Sequence, residues 1–301
     1  MANQVIEDIK FKLRSGNPIT RLIILNVVVF LFLSLLRILL FVSGKSLLMY
    51  EINDFFVSNL TLPLSFSGLI SRPWTLITYM FTHIDLMHIF WNMITLFWFA
   101  KILSDFTSSN KIIPLYLLGG IIGALLTICL IEFVPMFHLL KNVPLLGASA
   151  GVTAIIIASA VLVPNFQINL LFVGGVKLIY VALFVLFLDI LNVASYSNIG
   201  GNLAHLGGAL MGFIFIQQYK NGNDLAKPFN RFFDWIKNRA NTNRAKMKVA
   251  YKRTNKDEEF NYQKKVTQEK VDEILDKISQ SGYESLTKEE KDILFKASNK
   301  Y

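Results

Sequence analysis

The sequence predicts an all-α polytopic membrane protein, a six-helix transmembrane bundle followed by a polar tail. Three observations carry this. The 301 residues are 53% hydrophobic and only 17% charged, a balance more apolar than soluble domains usually show. The apolar runs crowd between residues 20 and 219, whereas the last 82 residues are polar. The runs approach the roughly 20 residues that a helix needs to cross a hydrocarbon core.

Six spans are expected, at about 22–42, 84–104, 112–134, 147–163, 170–193 and 201–219. The first carries Arg37 near its far end, where a long side chain snorkels to the interface. The fourth is short and begins with small residues. The fifth holds Lys177 near its start, placed to snorkel the other way. Residues 1–20 lack the apolar core and small-residue cleavage site of a signal peptide, so the first run is expected to be retained. Cys129 is the single cysteine, which excludes an intrachain disulfide framework and a multi-cysteine metal site.

Positive charge sets direction. Residues 220–256 carry eleven Lys or Arg against two Asp, a net of +9, and are expected in the cytosol. Six spans then return the N-terminus to the cytosol, in keeping with Lys10, Lys12, Arg14 and Arg21. Spans two, four and six all run inward from the outer face. Their first residues therefore meet at one depth: His83, His88 and Asn92 from span two, Ser149 from span four, Asn202 and His205 from span six.

Polar residues inside a bilayer are costly and mark functional sites by default. A serine hydroxyl needs a base to become a nucleophile, and neutral imidazole is suited to take its proton and pass it to a leaving amine. Ser149 and His205 are the candidate pair. Spans four and six hold no carboxylate, which points to a Ser–His dyad rather than a triad; Asp189 in span five and Asp85 near the start of span two are secondary candidates for an orienter. Developing oxyanion charge needs donors. Asn92 and His88, spaced i, i+4, share a helix face, and the Ser149 backbone N–H at a helix start is a third. Small residues around Ser149, Gly147 included, admit a close neighbour. Gly208 and Gly212 form a Gly-xxx-Gly step below His205, of the kind that lets helices cross closely, and Gly119, Gly120 and Gly123 suggest further close contacts. His138, between Pro135 and Pro144, is expected at a surface or interface.

At these residues the sequence resembles the rhomboid family of intramembrane serine proteases. The matching pieces are His83-(x)4-His88-(x)3-Asn92, Gly147-Ala148-Ser149-Ala150 and Ala204-His205-(x)2-Gly208-(x)3-Gly212, in that order and at the starts of spans two, four and six. The resemblance covers about residues 20–219 and looks like the bacterial type with a C-terminal cytosolic extension. It implies Ser149 as nucleophile, His205 as base, His88 and Asn92 as oxyanion helpers and His83 as a supporting residue. It implies cleavage of single-span membrane proteins near the membrane boundary, a water-filled cavity open to the outer side, substrate entry near span five, and a partly membrane-embedded loop at residues 43–80. The inner membrane of a bacterium is the implied location. Two residues depart from the family pattern: Ala150 stands where glycine is common, and Thr153 where a tyrosine often stacks on the histidine. A catalytically inactive relative that binds membrane segments is the alternative. A transporter would call for paired repeats, and no convincing repeat is present.

The organisation expected is a cytosolic segment at 1–21, the membrane domain at 22–219, a basic juxtamembrane segment at 220–256 and a small helical tail at 257–301. Phe229, Phe232, Phe233 and Trp235 among Lys and Arg fit an interfacial helix on anionic headgroups, with the positive-inside signal an equal explanation; nucleic acid needs no invoking. In the tail, Val271, Ile274, Leu275 and Ile278 share one helix face, Ser281-Gly282 ends that helix, and Thr287-Lys288-Glu289-Glu290 reads as a capping box. No cofactor and no metal are expected.

Overall fold

The computed structural model describes residues 17–44, 46–170, 174–240 and 255–298. The chain divides into two compact units, residues 1–240 and 241–301.

The first unit is helical, with a small hairpin. Helix α1 spans Pro18–Val42, and its start is set by Asn17, whose side chain accepts the Ile19 N–H at 3.0 Å, with Pro18 at the first helical position. Helices α2 (Ser46–Leu60), α3 (Phe66–Ser71) and α4 (Thr75–Thr78) break up the connection to α5, Leu86–Phe106. Asp85 caps α5 by accepting the His88 N–H at 2.7 Å. Helix α6 covers Ile112–Phe133, α7 Ser149–Leu162, α8 Leu178–Ala194, α9 Ile199–Lys220 and α10 Lys227–Ala240.

Among the described residues, four helical segments are long and apolar enough to cross a membrane: Pro18–Val42, Leu86–Phe106, Ser109–Phe133 and Ile199–Lys220. Helices α7 and α8, with 14 and 17 residues, are apolar but shorter. The fifth expected span begins late. Residues 167–170 and 174–177 form an antiparallel hairpin, with Gln167 opposite Lys177. Lys177 therefore lies on the second strand, β2, and precedes α8 instead of entering it.

Polar and apolar residues are distributed as in a bundle solvated by lipid. Large apolar side chains are exposed along α1, α5 and α8, among them Leu31, Leu35, Trp91, Phe97, Phe184 and Phe187, while Asn26, Asn92, Thr127, Ser159, Asp189 and Asn202 are buried. An apolar exterior of this extent marks a surface that meets something other than water. Inside, three buried side chains tie separate segments together. Tyr116 on α6 donates to the Met80 carbonyl at 2.7 Å, and Tyr79 donates to the Gly120 carbonyl at 2.7 Å. Ser159 on α7 donates to the Phe99 carbonyl of α5 at 3.1 Å. The turn before α5 is thereby fixed on α6.

Helix α9 lies against both α6 and α7 at backbone distance. A Cβ at Gly208 would meet the Ala150 carbonyl, and one at Gly212 the Ala154 carbonyl. The Gly-xxx-Gly step thus makes the close crossing expected of it.

In the second unit, α11 spans Asn255–Ser281 and stops at Gly282, whose φ is +76°. Helix α12, Lys288–Ser298, opens on a capping box. Glu290 Oε2 accepts the Thr287 N–H at 2.7 Å, and Thr287 Oγ1 accepts the Glu290 N–H at 3.3 Å. The Glu290 carboxyl is held below its usual range by Lys277, with the Thr287 N–H adding to the effect. Of the basic juxtamembrane segment, residues 241–254 lie outside the described residues.

Candidate active site

The polar site residues singled out from the sequence, His83 apart, line one cavity of about 730 Å³, bounded by the starts of α5, α7 and α9, the later part of α8 and the loop before α7. Ser149, His205, His88, Asn92 and Asn202 all face it, as does Asp189.

Local structure explains how Ser149 reaches this wall. The loop before it pairs with the segment after α2: Leu62 and Leu145 exchange two backbone hydrogen bonds of 2.9 Å, and the Gly147 N–H donates to the Tyr79 carbonyl at 2.9 Å. Gly147 then turns the chain with φ +113°, a conformation that side chains oppose, and α7 begins at Ser149. A Cβ at Gly147 would lie 2.7 Å from His88 Cε1 and 3.1 Å from its Nε2, so the His88 ring rests directly on this turn. At the first residue of a helix, the Ser149 N–H has no intrahelical acceptor.

His83 supports the turn from behind. Its Nε2 accepts the Ala148 N–H at 3.2 Å, and its ring meets that of His88 edge-on at 5.2 Å. Accepting a hydrogen bond requires the neutral ring. Burial, aided by neighbouring His88 and opposed by the Phe81 backbone, holds His83 at about 4. Asn92 Nδ2 donates to the His88 carbonyl at 2.9 Å, which aims the amide while leaving its second hydrogen available.

His205 sits in the second turn of α9. Its Nδ1 lies 2.7 Å from Asp189 Oδ1 on α8. The carboxylate that faces His205 comes from α8, and of the two secondary orienters expected beside the Ser–His dyad it is Asp189 that reaches the ring; Asp85 instead caps α5. The Asp189 side chain is 7% exposed and that of His205 20%. Among the described residues, Ser149 Oγ and His205 share the cavity without a direct hydrogen bond, and the His205 ring has no stacking partner. Thr153, at the position where the family often has a tyrosine, is buried in the cavity wall.

Ala150 shows why its methyl is tolerated. It lies in the first turn of α7 without positive φ, 2% exposed, with its Cβ turned toward Gly123 of α6. His138 lies away from the cavity, its Nε2 3.2 Å from the Glu132 carbonyl. Among the described residues no cluster of three or more His, Cys, Asp or Glu could hold a metal ion.

The rhomboid domain model matches residues 71–219, the stretch that contains every cavity residue named above, and a family of unknown function, DUF6576, matches residues 254–300. The RHOMBOID-like protein 12, mitochondrial, of Arabidopsis thaliana is 31% identical over 161 residues, 50% of this chain and 48% of that protein. The chain thus spans about half the length of this curated relative. Its candidate spans and its domain match make it a multi-pass membrane protein. Through residues 71–219, with their serine turn, paired histidines and glycine-lined last helix, the chain belongs to the rhomboid family.

Proposed function

We propose that the protein is an intramembrane serine endopeptidase that hydrolyses peptide bonds in or near transmembrane segments of single-span membrane proteins. One observation carries this reading: Ser149 and His205, 56 positions apart in sequence, line a single cavity with His88 and Asn92. As Ser149 Oγ bonds to the scissile carbonyl carbon, His205 takes the hydroxyl proton. The carbonyl oxygen becomes an oxyanion facing the free amide hydrogen of Asn92, the His88 ring and the Ser149 N–H. Collapse breaks the C–N bond, and the amine leaves with the proton from His205. Water, losing a proton to His205, then hydrolyses the ester and restores Ser149.

The proposed setting is a bacterial inner membrane crossed six times, with α7 and α8 counted as spans and both termini in the cytosol. The basic stretch at 220–256 supports contact with anionic headgroups. In α10, Phe232 and Trp235 stack at 6.2 Å, Arg239 lies 4.5 Å over the Trp235 ring, and Phe232, Phe233, Trp235 and Ile236 are exposed.

The test is fluorophosphonate labelling of the purified protein, together with cleavage of a single-span substrate in liposomes. Both are expected to be lost in Ser149→Ala; cleavage that persists in the folded variant overturns the nucleophile assignment. A second reading, a non-catalytic relative that binds membrane segments, draws on the missing Ser149–His205 hydrogen bond. Wild-type labelling at Ser149 excludes it.

A further inference from the structure

We propose that Asp189 is a positioning residue for His205, holding the imidazole in the tautomer that can take the proton of Ser149; this rests on the reading of Ser149 and His205 given above. Asp189 Oδ1 and His205 Nδ1 are 2.7 Å apart. An ionised carboxylate only accepts, so Nδ1 carries the proton and the lone pair of the neutral ring is on Nε2. The partner comes from α8, not from the helix that carries the histidine, so the ring is held from outside its own backbone. As His205 takes the hydroxyl proton and becomes an imidazolium, the facing carboxylate stabilises the charge that forms.

A purely structural role accounts poorly for this side chain. Asp189 is 5% exposed in a helix made almost wholly of apolar residues, a costly place for a carboxylate. Its Oδ2 is buried and has no hydrogen-bond partner among the described residues. A side chain kept only to join α8 to α9 does so at lower cost as an uncharged amide or hydroxyl. Among the described residues, the single hydrogen bond of Asp189 goes instead to the imidazole that faces the cavity with Ser149.

The experiment uses the full-length protein in detergent micelles. Labelling rates with an alkyl fluorophosphonate are measured for wild type, Asp189→Asn and Asp189→Glu, with thermal unfolding as a check on folding. In parallel, ¹⁵N spectra of histidine-labelled protein locate the His205 proton, the signal being assigned by its loss in His205→Gln. Expected are Nδ1–H in the wild type, a labelling rate in Asp189→Asn lower by roughly 10² to 10⁴-fold, the range a positioned base contributes, and a proton moved to Nε2 by the amide hydrogens facing Nδ1. Asp189→Glu is expected to recover part of the rate. An Asp189→Asn protein labelled within threefold of wild type overturns the proposal, and so does a wild-type ring protonated on Nε2. The wild-type spectrum decides even where the Asn variant fails to fold. A wild-type protein that resists labelling yet carries its proton on Nδ1 upholds the positioning and overturns the protease reading instead.

Discussion

Replacing Gly147 by alanine tests the turn that presents Ser149, and the structure divides the cost into two parts. The first is conformational: φ is +113°, and a side chain there costs about 1–3 kcal/mol. The second is steric. The new methyl would lie 2.7 Å from His88 Cε1, where ordinary contact begins at 3.4 Å, so the ring must retreat by roughly 0.7 Å at a cost of about 1–3 kcal/mol. Gly147→Ala is therefore expected to lose about 2–6 kcal/mol. Adding His88→Ala removes the ring and recovers only the second part, giving a coupling of about 1–3 kcal/mol between the two positions. The assay is a double-mutant cycle by reversible unfolding in mixed micelles. Additivity within about 0.5 kcal/mol refutes the claim that the His88 ring rests on the turn. Fluorophosphonate labelling of Gly147→Ala is expected to slow on the order of 10²-fold, since displacements near 1 Å carry that cost.

Gly208→Val should prise α9 from α7, because its Cβ has only the Ala150 carbonyl to move into; a loss of about 1–3 kcal/mol is expected, checked by unfolding. His83 predicts a pH effect. It stays neutral in the fold down to about pH 4, whereas the unfolded chain binds that proton from about 6.5. Stability therefore falls as pH drops from 6.5 to 4, by at most about 3 kcal/mol from this residue, and no further below; His83→Gln should flatten that part of the curve. In the tail, Thr287→Ala removes a capping oxygen worth about 1 kcal/mol, so the first amides of α12 should exchange about fivefold faster by hydrogen exchange in the intact chain.

The long apolar runs were plain in the sequence because 21 to 25 mostly apolar residues in one helix have few other uses. The capping box was equally plain, since its atoms are three residues apart. The hairpin was not: Gln167–Leu170 and Gly174–Lys177 are four residues each and continue into the apolar run of α8, so no change of period sets them apart. The gathering of Ser149, His205, His88 and Asn92 was legible because each opens a helix of the same direction. Asp189 was harder. It lies near the far end of a helix of the opposite direction, and its partner is 16 residues away on the next helix. The available sign was a carboxylate inside an apolar run, which suggests a partner without naming it. The fate of Ala150 depended on its φ and on Gly123, neither of which is readable from neighbouring letters.

On the proposed reading, with α7 a span and Ser149 the nucleophile, the brevity of α7 has a consequence for where peptide bonds are met. Fourteen residues make a rod of roughly 21 Å at 1.5 Å each, against a lipid interior of about 30 Å. With the far end of α7 at one headgroup layer, its serine stops roughly 9 Å short of the other. A substrate of the proposed protease must then bring its scissile bond past the glycerol level, shedding helical hydrogen bonds that lipid tails cannot replace. Segments already loosened near their ends descend most cheaply, and thicker membranes lengthen the descent.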